Sequence, residues 1–177
     1  MDGHHRLLTP EPTIAGWGSR VPADGTVLDV AAGSGRHALW FAERGHSVVA
    51  IDRDTEALQQ RAHHKLRIVQ ADLENAPWPL PGERFDAVVV VNYLWRELLP
   101  TLFAAVAVDG HLLYETFAIG NEQFGRPRNP DFLLREDELR TATPPEFDVL
   151  EFAQEVVGSP PTAVRQRLLA QRRREPD

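Results

Sequence analysis

The chain has 177 residues, 42% of them hydrophobic and 25% charged, which suits one globular domain with its own core. Its 19 basic and 26 acidic side chains leave a net charge of -7, a poor match for a phosphate backbone that needs Lys and Arg counter-charges. The absence of cysteine excludes disulfides, thiolate metal sites and cysteine nucleophiles.

No apolar run approaches a membrane span, and "MDGHHRLLTPEP" lacks the basic-then-apolar layout of a signal peptide. The expected setting is therefore cytoplasmic, with no membrane or nucleic-acid partner. Residues 1–25 are rich in Pro and Gly and read as an irregular arm with one helical turn. Trp17 on that arm is placed to close a pocket from one side. Val27–Ala31 is a short buried strand ending in small residues. Arg36–Arg44 reads as a helix stopped by Gly45, with Trp40 and Phe41 as core residues. Ser47–Ile51 is a second strand, and Asp54–His63 a second helix capped by Asp54 or Thr55. Leu66–Gln70 is a third strand.

Phe85–Val91, "FDAVVVV", is the uninterrupted β-branched run of a central parallel strand covered on both faces. Glu97–Val108 reads as a helix bent at Pro100, and Gly110–Phe117 as the fifth strand. Leu134–Arg140 is a short helix. Phe147–Val157 and Ala163–Gln171 read as two strands joined through "GSPP". Alternating strands and helices imply a doubly wound, Rossmann-like α/β sheet, and the terminal hairpin adds an antiparallel strand to it. All of 1–177 reads as a single domain, with 118–132 as a substrate-side loop.

"DVAAGSGRHA" poses the functional question: which ligand does this glycine turn hold? A P-loop needs Gly-Lys-Ser/Thr, and no Lys follows Gly35. Gly33-x-Gly35-x-x-Ala38 with Asp52 downstream satisfies a relaxed dinucleotide fingerprint. The acids argue otherwise. Asp29 near the first strand's end is expected to point into the crevice, where it repels a pyrophosphate and attracts a cation. Asp72 after the third strand is placed to accept from an adenine amino group. Asp29, Asp52 and Asp72 thus end three successive strands at the ligand edge of the sheet. S-adenosylmethionine carries a sulfonium and an ammonium and no phosphate.

On these residues the chain resembles the class I S-adenosylmethionine-dependent methyltransferases, from about Val27 to Arg172. "LDVAAGSGRHAL" is similar to their glycine motif, with Ala31 where many members carry Gly. The resemblance makes Asp52, with Arg53 beside it, the ribose-binding site, and Asp72 and Leu73 the adenine contacts. "VVVVNYL" is similar to the fourth-strand motif beside the methionine moiety, which puts Asn92 next to the cofactor. It also implies a seven-stranded sheet whose last strand is antiparallel. Within the class, "GSGRHAL", "VVAIDRD" and "DFLLREDELR" look most like small bacterial methyltransferases of the tellurite-resistance type.

Acceptor-side groups are expected at the ends of strands four and five. Tyr93 should reach the methyl, and Glu115 is the general-base candidate. Arg96, and Arg126 and Arg128 on the 118–132 loop, are placed to grip an anionic small-molecule acceptor under a hinged lid. No histidine pair has metal-ligand spacing, so no metal is expected; His4-His5 and His63-His64 read as surface residues. Two other readings stay open at this level. One is an S-adenosylmethionine-binding protein without catalysis, the other an NAD-dependent oxidoreductase.

Overall fold

A seven-stranded sheet in the order β3-β2-β1-β4-β5-β7-β6 organises the computed structural model, which describes residues 9–174. The strands are β1 (Thr26–Val30), β2 (Ser47–Asp52), β3 (Leu66–Gln70), β4 (Phe85–Val91), β5 (Val106–Phe117), β6 (Phe147–Val157) and β7 (Ala163–Arg172). β1 to β5 are mutually parallel where they pair, and β7 runs antiparallel to both β5 and β6. The Rossmann-like, mostly parallel sheet expected from the sequence is the fold found.

The chain order reverses between β1 and β4, so the loops after their C-terminal ends splay apart and leave a crevice. β4 is buried along nearly its whole length because helices and loops cover both its faces. On one face α1 (Pro12–Trp17) and α2 (Arg36–Ala42) bury Ile14, Trp17 and Phe41 against Val27, Ala87 and Val89. On the other, α4 (Leu99–Ala104) and α5 (Glu138–Ala142) pack Leu102 and Leu139 against Leu28, Val88 and Leu112. Phe41 is fully buried, while Trp40 is partly exposed and takes the Arg44 guanidinium on its ring at 3.9 Å.

The helices are shorter than the periodicity predicts. Of 54–63, only α3 (Glu56–Gln59) is helical, because Leu58 is the one buried apolar residue there and no apolar stripe extends the packing. The helix expected to reach Val108 ends at Ala104 after a 3-10 turn over Arg96–Leu98. Val106–Val108 instead starts β5, and Asp109, at φ 63°, bends that strand before Gly110. The predicted helix at 134–140 begins later, at Glu138.

The arm departs from its expected role. Trp17 is buried and donates from Nε1 to Glu151 Oε2 at 2.9 Å, on the β6 side and away from the crevice. His4 and His5 lie outside the described residues; the His63 and His64 rings stack at 4.5 Å. The three arginines at 172–174 each have a partner. Arg172 donates to the Val106 carbonyl, Arg173 pairs with Asp148 and Arg174 with Asp109.

Candidate active site

The glycine turn after β1 is shaped by three departures from ordinary backbone at alternate residues. Ala31, Gly33 and Gly35 all have positive φ, at 53°, 54° and 80°. The Ala31 position is thus one that favours glycine, yet it holds its left-handed geometry with a Cβ. A Cβ built on Gly33 meets nothing within 4 Å, so this residue faces open space. Gly35 is the N-cap of α2, and its amide donates to the Ala32 carbonyl at 2.9 Å.

Asp52 closes the turn from the end of β2. Its Oδ2 accepts from the Gly33 amide at 2.8 Å and its Oδ1 from the Asp54 amide at 2.9 Å. Each oxygen keeps one lone pair, so the carboxylate can still accept from two hydroxyls. Asp72 is held in its own turn by the Glu74 and Asn75 amides and the Asn75 side chain. The Asn75 hydrogen bond, with the two amides and nearby Arg53, holds its carboxyl below the usual carboxylate range.

These residues border a cavity of about 340 Å³ at the C-terminal ends of β1 to β3. Ala31, Asp52 and Arg53 form one wall, and Ala71, Asp72 and Leu73 another. Glu74, Tyr93 and Phe132 close its far side. The same three residues also border a second cavity of about 250 Å³, completed by Asn92, Leu94, Thr116, Phe117 and Pro127. The two cavities therefore meet at a shared wall, with Tyr93 and Glu74 contributed from the β4 and β3 loops.

Asp29 does not face the crevice as expected. It is 1% exposed, beneath α2, where its Oδ2 accepts from the Ala38 amide at 2.9 Å. Burial raises its pKa from 3.8 to about 7, against the lowering effects of that hydrogen bond and of Arg36. A carboxyl whose folded pKa is raised favours folding while protonated. Its contribution is complete below pH 3.8 and is lost as pH rises towards 7. Asp29→Asn keeps an acceptor for the Ala38 amide and removes this titration. Its urea-unfolding stability relative to the parent should therefore increase from pH 5 to pH 8. A pH-independent difference would show that Asp29 does not titrate in that window. His37, in the first turn of α2, is also buried, which lowers its pKa to about 4 and keeps it neutral. Its Nε2 accepts from the Glu11 amide at 3.2 Å.

The acceptor-side expectations are met unevenly. Tyr93 does stand between the cavities. Its hydroxyl is enclosed and has no hydrogen-bond partner among the described residues, and its backbone carbonyl accepts from the Tyr114 hydroxyl at 2.8 Å. Burial, with the charges of Glu74, Asp72 and Asp52, pushes the Tyr93 hydroxyl up to about 12. It is thus a neutral hydrogen-bonding group at pH 7, not a base. Glu115 is no free base either. It is 4% exposed and its Oε1 lies 2.5 Å from Arg165 Nε. Arg165 also donates to Asn92 Oδ1 at 2.5 Å and lies 4.7 Å from the Phe117 ring centroid. Asn92, in the left-handed region at φ 57°, lines the second cavity rather than the first.

Arg96 is consumed structurally. It binds Glu138 through Nε at 2.6 Å and Nη2 at 2.9 Å, and donates to the carbonyls of Asp131 and Leu133. It ties the end of the 118–132 loop to α5 and has no guanidinium edge left for a ligand. Arg126 and Arg128 are exposed and border an open hollow that adjoins the second cavity through Pro127 and Phe132. The loop reaches the second cavity through Pro127 and Phe132 instead. Glu74, Thr116 and Phe132 were not singled out by sequence reasoning, although Glu74 lies two residues beyond Asp72. Arg165 carried no signal, since only β7 pairing brings it to β5. Among the described residues no group of three acids or histidines is arranged to hold a metal, and no helix is long and apolar enough to cross a membrane.

Residues 27–108 match the family model described as a methyltransferase domain. No curated protein matches the chain. Three solved structures show the fold. TehB from Haemophilus influenzae superposes with a TM-score of 0.66 at 17% identity, over 88% of this chain and 60% of its own. The Burkholderia thailandensis 1,6-didemethyltoxoflavin-N1-methyltransferase, with 1,6-didemethyltoxoflavin and S-adenosylhomocysteine bound, gives 0.66 at 22% identity, over 93% and 78%. An S-adenosylmethionine-dependent methyltransferase from Aquifex aeolicus gives 0.67 at 18% identity, over 96% and 93%. The architecture is the class I S-adenosylmethionine-dependent methyltransferase fold. The methyltransferase-domain match lies within that fold, over β1 to the start of β5.

Proposed function

We propose that the protein methylates a small molecule, with the cofactor in the Asp52 cavity and the acceptor in the Tyr93 cavity beside it. The observation that carries this reading is the shared wall: two cavities at the sheet's ligand edge, divided only by Tyr93, Glu74 and Phe132. The residues fit S-adenosylmethionine. Asp52 has two lone pairs for ribose hydroxyls, Gly33 opens on free space, and Leu73 and Ala71 offer an apolar face to an adenine. Asp72 stands ready to accept from the adenine amino group, and Arg53 flanks the ribose site. Gly35 and Ala31 shape the turn that frames them. The bound cofactor supplies a methyl group on a sulfonium, already activated for displacement.

The protein's own work is then positioning and exclusion of water. Asn92 is fixed by Arg165 at the mouth of the acceptor cavity, and Phe132 covers it from the loop. The Tyr93 side chain borders both cavities and offers a ligand its ring, while its hydroxyl is protonated and enclosed. The Burkholderia enzyme's small heterocyclic ligand agrees with an acceptor of this size. A cytoplasmic setting and the absence of a nucleic-acid partner belong to this reading and rest on the sequence.

Asp52→Ala tests it. Losing a charge-assisted contact costs about 1.5–3 kcal/mol, so S-adenosylhomocysteine should bind about tenfold or more weakly by titration calorimetry. An unchanged affinity in a folded variant would return Asp52 to the role of turn residue.

A further inference from the structure

The acceptor cavity has a chemical bias of its own, and we infer that it takes a basic amine carried on an aromatic ring system rather than an anionic acceptor. This rests on the assignment of the two cavities above. The walls of the acceptor cavity include three aromatic rings, Tyr93, Phe117 and Phe132, together with Pro127. Flat apolar faces of this kind favour a planar ring and, through their π-electrons, a cation.

The charge of the walls points the same way. Among the described residues Glu74 is the one charged residue bordering the cavity, and no Lys, Arg or His does so. The nearest buried cation, Arg165, is already committed to Glu115, Asn92 and the Phe117 ring. Asp52 and Asp72 stand across the shared wall. Arg53 stands beside those two acids, so the charge that faces the acceptor cavity itself is Glu74, which repels an acceptor carboxylate and gives an amine a counter-charge. Arg126 and Arg128 border an adjoining hollow that shares Pro127 and Phe132 with this cavity, but neither borders the cavity itself.

The reaction this implies balances simply. A protonated amine first gives one proton through the Glu74 carboxylate to solvent. The lone pair of the neutral nitrogen then forms the new N–C bond as the S–C bond breaks, its electron pair remaining on sulfur, and the product leaves as the methylated ammonium. Tyr93 keeps its proton and takes no part in the transfer.

Tryptamine and indole-3-acetate form a matched pair of probes: one ring system, opposite charge. Each is titrated calorimetrically into protein saturated with S-adenosylhomocysteine, whose own binding is measured first. Tryptamine is expected to bind about tenfold or more tightly than indole-3-acetate. Glu74→Gln should shrink that preference with S-adenosylhomocysteine still bound, and Phe132→Ala should weaken both probes. Arg126→Ala with Arg128→Ala should change neither. Equal binding of the two probes, tighter indole-3-acetate, or binding of neither to the loaded protein overturns the inference while leaving the cofactor assignment standing. Failure of S-adenosylhomocysteine to bind at the outset removes the cofactor assignment, and the inference with it.

Discussion

Replacing Arg165 with alanine should destabilise the protein by about 3–5 kcal/mol, the range for removing one partner of a buried ion pair. The reason is what stays behind. Glu115 is 4% exposed, and its Oε2 already has no hydrogen-bond partner. Arg165 is its counter-ion, so truncation strands a carboxylate between β4 and β7. The same change frees Asn92, whose Oδ1 loses the guanidinium while its backbone stays at φ 57°. It also removes the cation from the Phe117 ring. Urea unfolding reads the stability loss. The double variant Arg165→Met with Glu115→Gln separates the causes, because it removes both charges and keeps the volume. Its stability should recover most of the loss, as buried pairs are often replaceable together. If Arg165→Ala alone costs under about 1 kcal/mol, the pair behaves like a surface salt bridge and the buried network is not as described.

Gly35→Ala should produce the other large effect, and Gly33→Ala provides its control. Both glycines have positive φ, so an alanine at either costs about 1–2 kcal/mol in backbone strain. Only Gly35 adds a collision. Its Cβ would lie 2.0 Å from Leu58 Cδ1, and Leu58 is fully buried in the core beneath α3. Leu58 would have to leave its rotamer in a packed interior, an overpacking cost of about 1–3 kcal/mol more. The expected total for Gly35→Ala is therefore roughly 2–5 kcal/mol by the same two contributions. Gly33→Ala should lose only the strain, since its Cβ enters open space. Equal stability losses in the two variants would mean that Leu58 yields freely and that the turn is not wedged against α3.

Much of the fold was legible from local pattern. β4 is a run of β-branched residues without interruption, and such a run has few options but a sheet interior. The glycine turn was visible because left-handed backbone requires glycine, and its tolerance of Ala31 shows that the rule bends by one residue. Asp52 and Asp72 were expected at the sheet's ligand edge because a strand's end places the next acid there, and both border the cavity at that edge. Those are local or periodic constraints, and the sequence expresses them directly.

What the tertiary structure decided was the fate of each charge. Asp29 sits four residues before Gly33, which suggested the crevice, yet strand alternation and the packing of α2 turn it inward to Ala38. Glu115 and Arg96 look like free catalytic or binding groups until β7 brings Arg165 to the first and α5 brings Glu138 to the second. These partners are 50 and 42 residues away along the chain, and no periodicity links them. Arg126 and Arg128 were placed by their loop, but the loop turns Pro127 and Phe132 to the cavity and leaves the two arginines on the outside. An ionisable side chain advertises a function only by what remains unpaired around it, and pairing is settled by strand order and loop closure, which local sequence does not encode.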